Sequence, residues 1–227
     1  MSSVRWVGTG RALVAAASAA LLVACATAPP ATSALVDGAG PVMTETRSVG
    51  AFDKVEVHHG IDLRLAIGSP MHVLVTAQEN LLAMTTTTVS DGRLIVEAMR
   101  DFVSNAGITA SVTTPAVTEL VLRDGATGDV RDLDAAMLAV QADHGSTLTM
   151  TGTAGWLGLS SHGACVIDLS GFVASDATVE LAQGVVVQIG VSGAISGSAT
   201  GGVVLTITGD PRTVDVRTSG GSTVSSR

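Results

Sequence analysis

The sequence predicts an all-β protein built as a parallel β-solenoid, or β-helix, with coils of about 19 residues. Three observations carry this. A glycine recurs at near-constant spacing through the C-terminal half, each recurrence precedes a short alternating apolar run, and no amphipathic helix longer than about two turns follows the N-terminal segment. Composition agrees: 26 of 227 residues are Gly, 14% are charged and 2% aromatic, with Val, Thr, Ala and Ser making up most of the rest. β-Branched side chains suit a pleated surface, and Gly supplies turn conformations closed to other residues.

Residues 1–24 read as an export signal. Arg5 and Arg11 form a basic start, and Ala12 to Val23 is an apolar run too short to span a bilayer of ~20 helical residues. Leu22-Val23-Ala24-Cys25 resembles the lipobox of bacterial lipoproteins, which implies diacylation of Cys25 and cleavage before it. Ala26 follows, where an Asp would imply retention in the inner membrane, so the expected address is the outer membrane. Residues 25–45, rich in Ala, Pro and small polar residues, read as the lipidated Cys and a flexible tether. Order is expected from residue 46, giving a domain over 46–227.

The domain begins with clean period-two alternation. Val55 and Val57 precede a break at His58-His59-Gly60; Ile61, Leu63, Leu65 and Ile67 then continue the apolar face. "MHVLVTAQEN" is a third strand. "LLAMTTTTV" opens with one short turn of helix and becomes a strand, Ser90-Asp91-Gly92 is a turn, and "RLIVEAM" returns as a strand.

The repeat follows. Glycines at Gly125, Gly145, Gly163, Gly184, Gly201 and Gly220 are 20, 18, 21, 17 and 19 residues apart. Each precedes a strand such as "STLTMTG", "ACVIDLSG" or "GVVLTITG". A second strand follows from Met137, Trp156, Thr178 and Thr213. Parallel stacking in sequence order would pair each coil with the last and bury about four apolar residues per coil, each contributing roughly 1.5–3 kcal/mol. The alternative is an antiparallel sandwich of similar strands, but recurrence in register is unexpected where successive strands reverse.

From about Arg47 onward the chain resembles the bacterial auto-transporter adhesin head, or GIN, domain family. The resemblance rests on "SVGAFDKVEVHHGIDLRLAIG", "VTAQENLLAMTTTTVSDGRLIVEA", the unit "GACVIDLSG" and the ending "VVLTITGDPRTVDVRTSGGSTV". It implies a right-handed β-helix, exported and often lipid-anchored, and brings no catalytic residues or cofactor with it. His stands where Ser is common in that family before the repeat Gly.

Candidate chemistry is sparse. Aligned on the repeat Gly, the preceding residues are Asp124, His144, His162, Gln183, Thr200 and Ser219. Adjacent coils lie about 4.8 Å apart, so His144 and His162 are expected as neighbours with Asp143 and Asp124 nearby. Two imidazoles and a carboxylate could ligate Zn or Ni; a polar ladder at a surface turn is the plainer expectation, because ladder side chains project in parallel. A polysaccharide-acting β-helix hydrolase or lyase is the alternative function and would need converging carboxylates. Here Asp129, Asp132 and Asp134 crowd one turn, while Asp168, Glu180 and Asp215 stand singly. Phe52 and Phe172 are expected in the core or at coil ends, which leaves Trp156 as the exposed aromatic platform for a glycan. With Cys25 lipidated, Cys165 has no disulfide partner and reads as a small buried hydrophobe.

Charge narrows the partners. The chain has 12 basic and 20 acidic residues; cleavage removes Arg5 and Arg11, and Lys54 is the single Lys. With no basic stripe to neutralise phosphates, nucleic acid is excluded as a natural partner and adsorption to anionic lipid is disfavoured. The reading is a non-catalytic binding or structural module. It is held to the envelope by its lipid and meets an envelope or extracellular protein or glycan through its lateral faces.

Overall fold

The computed structural model describes residues 35–227; the expected signal segment and Cys25 lie outside them. Nineteen elements follow one another: β1 (Val36–Asp37), β2 (Val42–Arg47), β3 (Lys54–Val57), β4 (Asp62–Ile67), β5 (His72–Gln78), α1 (Glu79–Met84), β6 (Thr85–Ser90), β7 (Arg93–Ala98), β8 (Phe102–Val103), β9 (Thr109–Thr114), β10 (Glu119–Leu122), β11 (Thr127–Asp143), β12 (Thr147–His162), β13 (Val166–Ala182), β14 (Val186–Val191), β15 (Ala194–Thr200), β16 (Val204–Thr208), β17 (Thr213–Ser219) and β18 (Thr223–Ser226).

The strands stack as a parallel solenoid with two ladders. One runs β7-β3-β10-β11-β12-β13-β15-β17, the other β9-β4-β11-β12-β13-β14-β16-β18. β11, β12 and β13 are long enough to serve both, bending where the register shifts. Gly152 shows why the bend needs glycine: its φ is +129°, and a Cβ there would lie 1.9 Å from the Leu133 carbonyl oxygen.

Inside runs one continuous core. Leu63, Leu148, Ile167, Val187 and Leu205 line one wall, and Val55, Leu120, Val140, Leu159 and Val179 the other, each at most 2% exposed. Gly128 occupies the inward place between Leu63 and Leu148, where a Cβ would meet Leu122 Cδ1 at 2.8 Å. Its missing side chain leaves room for that leucine. Cys165 is fully buried with Sγ 3.3 Å from the Ala142 carbonyl oxygen, so it fills core space as the sequence suggests.

Three expectations need correcting. The ordered domain starts before residue 46: β1 pairs with β8, β2 pairs antiparallel with β5, and Asn80 Nδ2 donates to the Asp37 carbonyl at 2.8 Å. Pairing its backbone groups with β8 and β5 orders a stretch whose composition alone reads as tether. Next, the coils do not all stack in sequence order. The β3–β4 coil lies between the β7–β9 coil and the coil of β10 and the first half of β11. The chain leaves β4, builds β5 to β9 beneath it and returns above through residues 115–118, where Thr118 N donates to the Asp53 carbonyl at 2.7 Å. Finally, β15 supplies a second strand to its coil that the sequence pattern does not reveal. "AISGSAT" carries only Ile195 and Ala199 as buried apolar residues around Gly197.

Phe52 and Phe172 are buried as expected, at 5% and 0% exposure. No helix among the described residues is long and apolar enough to cross a membrane.

Candidate functional site

Each coil passes from one ladder to the other through a corner of two successive residues at positive φ. The pairs are His59-Gly60, Asp124-Gly125, His144-Gly145, Gly163-Ala164, Gln183-Gly184, Gly201-Gly202 and Gly220-Gly221, with φ between 53° and 81°. Left-handed backbone disfavours a Cβ, so glycine is expected at either place. Because either place can hold it, aligning on a single Gly shifts the register at Gly163, Gly201 and Gly220. Pairing Asp143 with His162 and His162 with Ala182 makes His144, Gly163, Gln183, Gly201 and Gly220 one rung; His162 belongs to the rung before it.

That shift changes the histidine ladder. His144 and His162 are adjacent through the backbone, His144 N donating to the His162 carbonyl at 3.0 Å, but their rings belong to different rungs. Each ring meets an aspartate from the coil below: His144 Nδ1 lies 3.3 Å from Asp124 Oδ1, and His162 Nδ1 lies 3.3 Å from Asp143 Oδ1. Asp143 is 7% exposed and saturated, since Oδ1 also accepts from His162 N at 3.2 Å and Oδ2 from Gln141 Nε2 at 2.7 Å. No group of three or more His, Cys, Asp or Glu donors converges among the described residues. The candidate ligands therefore lie in two separate imidazole–carboxylate pairs, His144 with Asp124 and His162 with Asp143.

The first pair continues into a network that the sequence does not announce. Asp124 Oδ2 is 3.6 Å from His58 Nδ1, whose Nε2 is 2.8 Å from Glu56 Oε1. Arg93 donates to Glu56 Oε2 at 3.1 Å and to Glu119 Oε1 at 2.9 Å, and Arg123 Nε lies 3.9 Å from Glu56 Oε1. The hydrogen bond from Arg93 to Glu119 holds that guanidinium above its ordinary pKa, against the effect of burial and helped by the charges of Glu119 and Glu56. Val121, between Glu56 and Gln141 on an outward-facing column, is only 1% exposed. The network thus acts as a polar lid over apolar surface.

The scattered acids stay scattered. Asp129 forms a two-point pair with Arg131 at 2.7 and 3.1 Å, which lowers its pKa; Asp134 accepts from Thr153 Oγ1 at 3.2 Å. Hydrogen bonds from Ser170 lower the pKa of Asp168. Glu180 and Asp215 stand on neighbouring outward columns two coils apart and border one open hollow with Ser196, Ser198 and Arg217, with no hydrogen bond between the two carboxylates.

A different arrangement surrounds Trp156. Its ladder partners are Met137 and Asp176, and its benzo end lies over Gly158, where a Cβ would come within 2.5 Å of Cη2. Beside it opens a shallow hollow of ≈ 290 Å³, bordered by Glu119, Ala139, Gln141, Gly158, Ser160 and Glu180 among others. Trp156 is half-buried and lies down along its own strand, where the sequence suggests a free-standing platform. No local signal in the sequence marks Gln141 and Glu180 as its neighbours, because they arrive from the coils on either side.

With this geometry in hand, similarity to other proteins can be read. Residues 51–211 match the family described as "Putative auto-transporter adhesin, head GIN domain". A putative adhesin from Bacteroides fragilis superposes with a TM-score of 0.64 at 13% identity, covering 85% of this chain and 100% of its own. One from Parabacteroides distasonis gives 0.57 at 17%, covering 86% and 100%, and a putative lipid binding protein from the same organism gives 0.50 at 12%, also 86% and 100%. At these identities the likeness is one of fold. No curated protein matches the chain by sequence.

Proposed function

We propose a function for a chain that belongs to the auto-transporter adhesin head GIN domain family: it is a non-catalytic, adhesin-like binding module of the cell envelope. It engages its partner through the lateral faces of the solenoid. The observation that carries this is the exterior of the stacked coils. Over residues 127–219, two continuous parallel ladders present columns of Thr, Ser, Gln, Asp and Val; Asp129, Asp134 and Asp143 are each held by a neighbouring side chain, while Glu180 and Asp215 stand singly on their columns. Flat strand faces of this kind offer area and hydrogen-bonding groups, which serve recognition better than they serve proton transfer. The adhesin descriptions of structural neighbours point the same way.

Anchoring through a diacylated Cys25 and residence at the outer membrane complete the reading. They rest on the lipobox-like Leu22-Val23-Ala24-Cys25 and on Ala26. Radiolabelled palmitate should enter the full chain and not Cys25→Ser, which should leave the membrane fraction; equal labelling of both would contradict the anchor.

Binding itself is tested by capture from envelope extracts on immobilised residues 35–227, which retain β1 and β2. Retention of a protein or glycan that washes off neither blank beads nor an unrelated solenoid supports the reading. Release of reducing ends or unsaturated products from a polysaccharide panel would contradict it in favour of a hydrolase or lyase.

A further inference from the structure

We infer that the hollow beside Trp156 is a carbohydrate subsite that takes one uncharged or amino pyranose ring. The inference rests on the binding-module reading and gives it a ligand class.

The construction begins with what the strands leave out. On the outward column Glu119-Ala139-Gly158-Thr178, two successive residues carry no more than a methyl group, so an otherwise filled sheet face sinks locally. The Trp156 indole borders that depression, its benzo end seated over Gly158. A large, rigid, amphipathic ring beside a small floor is suited to the C–H face of a sugar, because it offers apolar area at little conformational cost.

The other side is polar. Gln141, Ser160 and Glu180 occupy the adjacent outward column in three successive coils. Gln141 donates its amide nitrogen to Asp143 at 2.7 Å, which fixes the side chain and leaves its carbonyl oxygen as the acceptor. Glu180 has no hydrogen bond or ion pair to another side chain among the described residues, so both its oxygens can accept from neighbouring hydroxyls. The carboxylate of Glu119 is already taken by Arg93.

Charge and size select within the class. No Lys, Arg or His lines the hollow, and it holds two carboxylates, so acidic sugars and phosphates are disfavoured. A volume of ≈ 290 Å³ is at the lower limit of ligand pockets, roughly 300–1,000 Å³, and fits one ring rather than a buried chain.

The test uses the full chain in detergent on an array of neutral, amino, acidic and phosphorylated sugars, with three variants whose melting is checked in parallel. Trp156→Ala should weaken the retained sugar at least tenfold. Gly158→Ala keeps the indole but displaces it, and should weaken binding severalfold with little change in melting temperature, since the atom displaced is the free end of a side chain. Glu180→Gln should weaken it by a similar factor. The inference is overturned if no sugar is retained, if acidic or phosphorylated sugars are preferred, or if binding survives Trp156→Ala and Glu180→Gln unchanged. Capture of an envelope partner by the unaltered chain together with retention of no sugar on the array would remove the subsite and leave the binding module standing.

Discussion

The first half of the domain, residues 35–124, and the second, residues 125–226, continue the same two parallel ladders but are held by different physics. In the second half the coils before the last repeat one local device: a two-residue left-handed corner, an inward alternation of mostly Leu, Ile, Val and Ala, and hydrogen bonds to the coil before and after. In the first half a coil is inserted out of sequence order, antiparallel pairs β2-β5, β5-β9 and β6-β7 close the lower end, and ion pairs among residues of β3, β7 and β10 and the corners after β3 and β10 cover the outer face. A stack of like coils needs only nearest-neighbour contacts, whereas an end needs something unlike itself to satisfy its edges. The comparison teaches that regularity and closure are separate problems, solved here by separate parts of the chain.

The largest expected effect separates the halves by core truncation. Leu122→Ala should cost towards the upper end of about 2–5 kcal/mol. Gly128 beside it has no side chain to fill the void, and the loss should shift the whole denaturation curve. Ile207→Ala, equally buried but in the penultimate coil, should cost less and produce an early, separate transition of the last coils. Equal, fully cooperative losses would erase the distinction. Next in size, Glu56→Gln should destabilise by about 1.5–3 kcal/mol, because one carboxylate serves Arg93 and His58 at once on a mostly buried face. Urea titration of this variant beside Gln188→Ala, on an exposed column of the second half, should show a clear loss for the first and almost none for the second.

Smaller effects probe the corner. Ala164 has φ +56° where the neighbouring coils place Gly145 and Gly184, so Ala164→Gly should raise stability by up to about 1 kcal/mol. Gly145→Ala, with open space around the added methyl, should lower it by a similar amount. If the change at Ala164 were destabilising, the corrected rung would be wrong. Smallest is the acid response of Asp168. Its pKa is lowered in the folded chain by Ser170, so its contribution is complete above about pH 4 and is lost as pH falls through the folded-state value. Asp168→Asn should flatten that part of the stability profile measured by thermal melts between pH 2 and 6.

These contrasts explain what could be read from residues alone. The second half is legible because its signals are local: Gly near every nineteenth residue, Ile167 and Leu169 alternating with Asp168, strands beginning two or three residues past each glycine. The single-glycine alignment still erred by one place at Gly163, since a corner with two left-handed positions permits Gly in either. That slip is what set His144 and His162 on one rung. The first half resists such reading because its decisive contacts join residues distant in sequence: Lys54 with Glu119 and Arg93, Met43 with Ala77, Val36 with Phe102. The Trp156 hollow lies between these cases. Its indole is visible in the sequence, but the partners that make a site of it come from the coils before and after.

The central claim is that successive coils lie parallel and in register, and spin labels test it directly. Thr149 and Gln188 are 39 residues apart in sequence, exposed, and both paired with Asp168, so they lie two ladder spacings apart on one column. In a Cys165→Ala background, labels at Thr149→Cys and Gln188→Cys should show strong dipolar broadening, consistent with backbone positions about 10 Å apart. A label separation beyond about 20 Å, as expected when the two labels point outward from opposed sheets whose backbones are already ~10 Å apart, would contradict the solenoid and the binding face built on it.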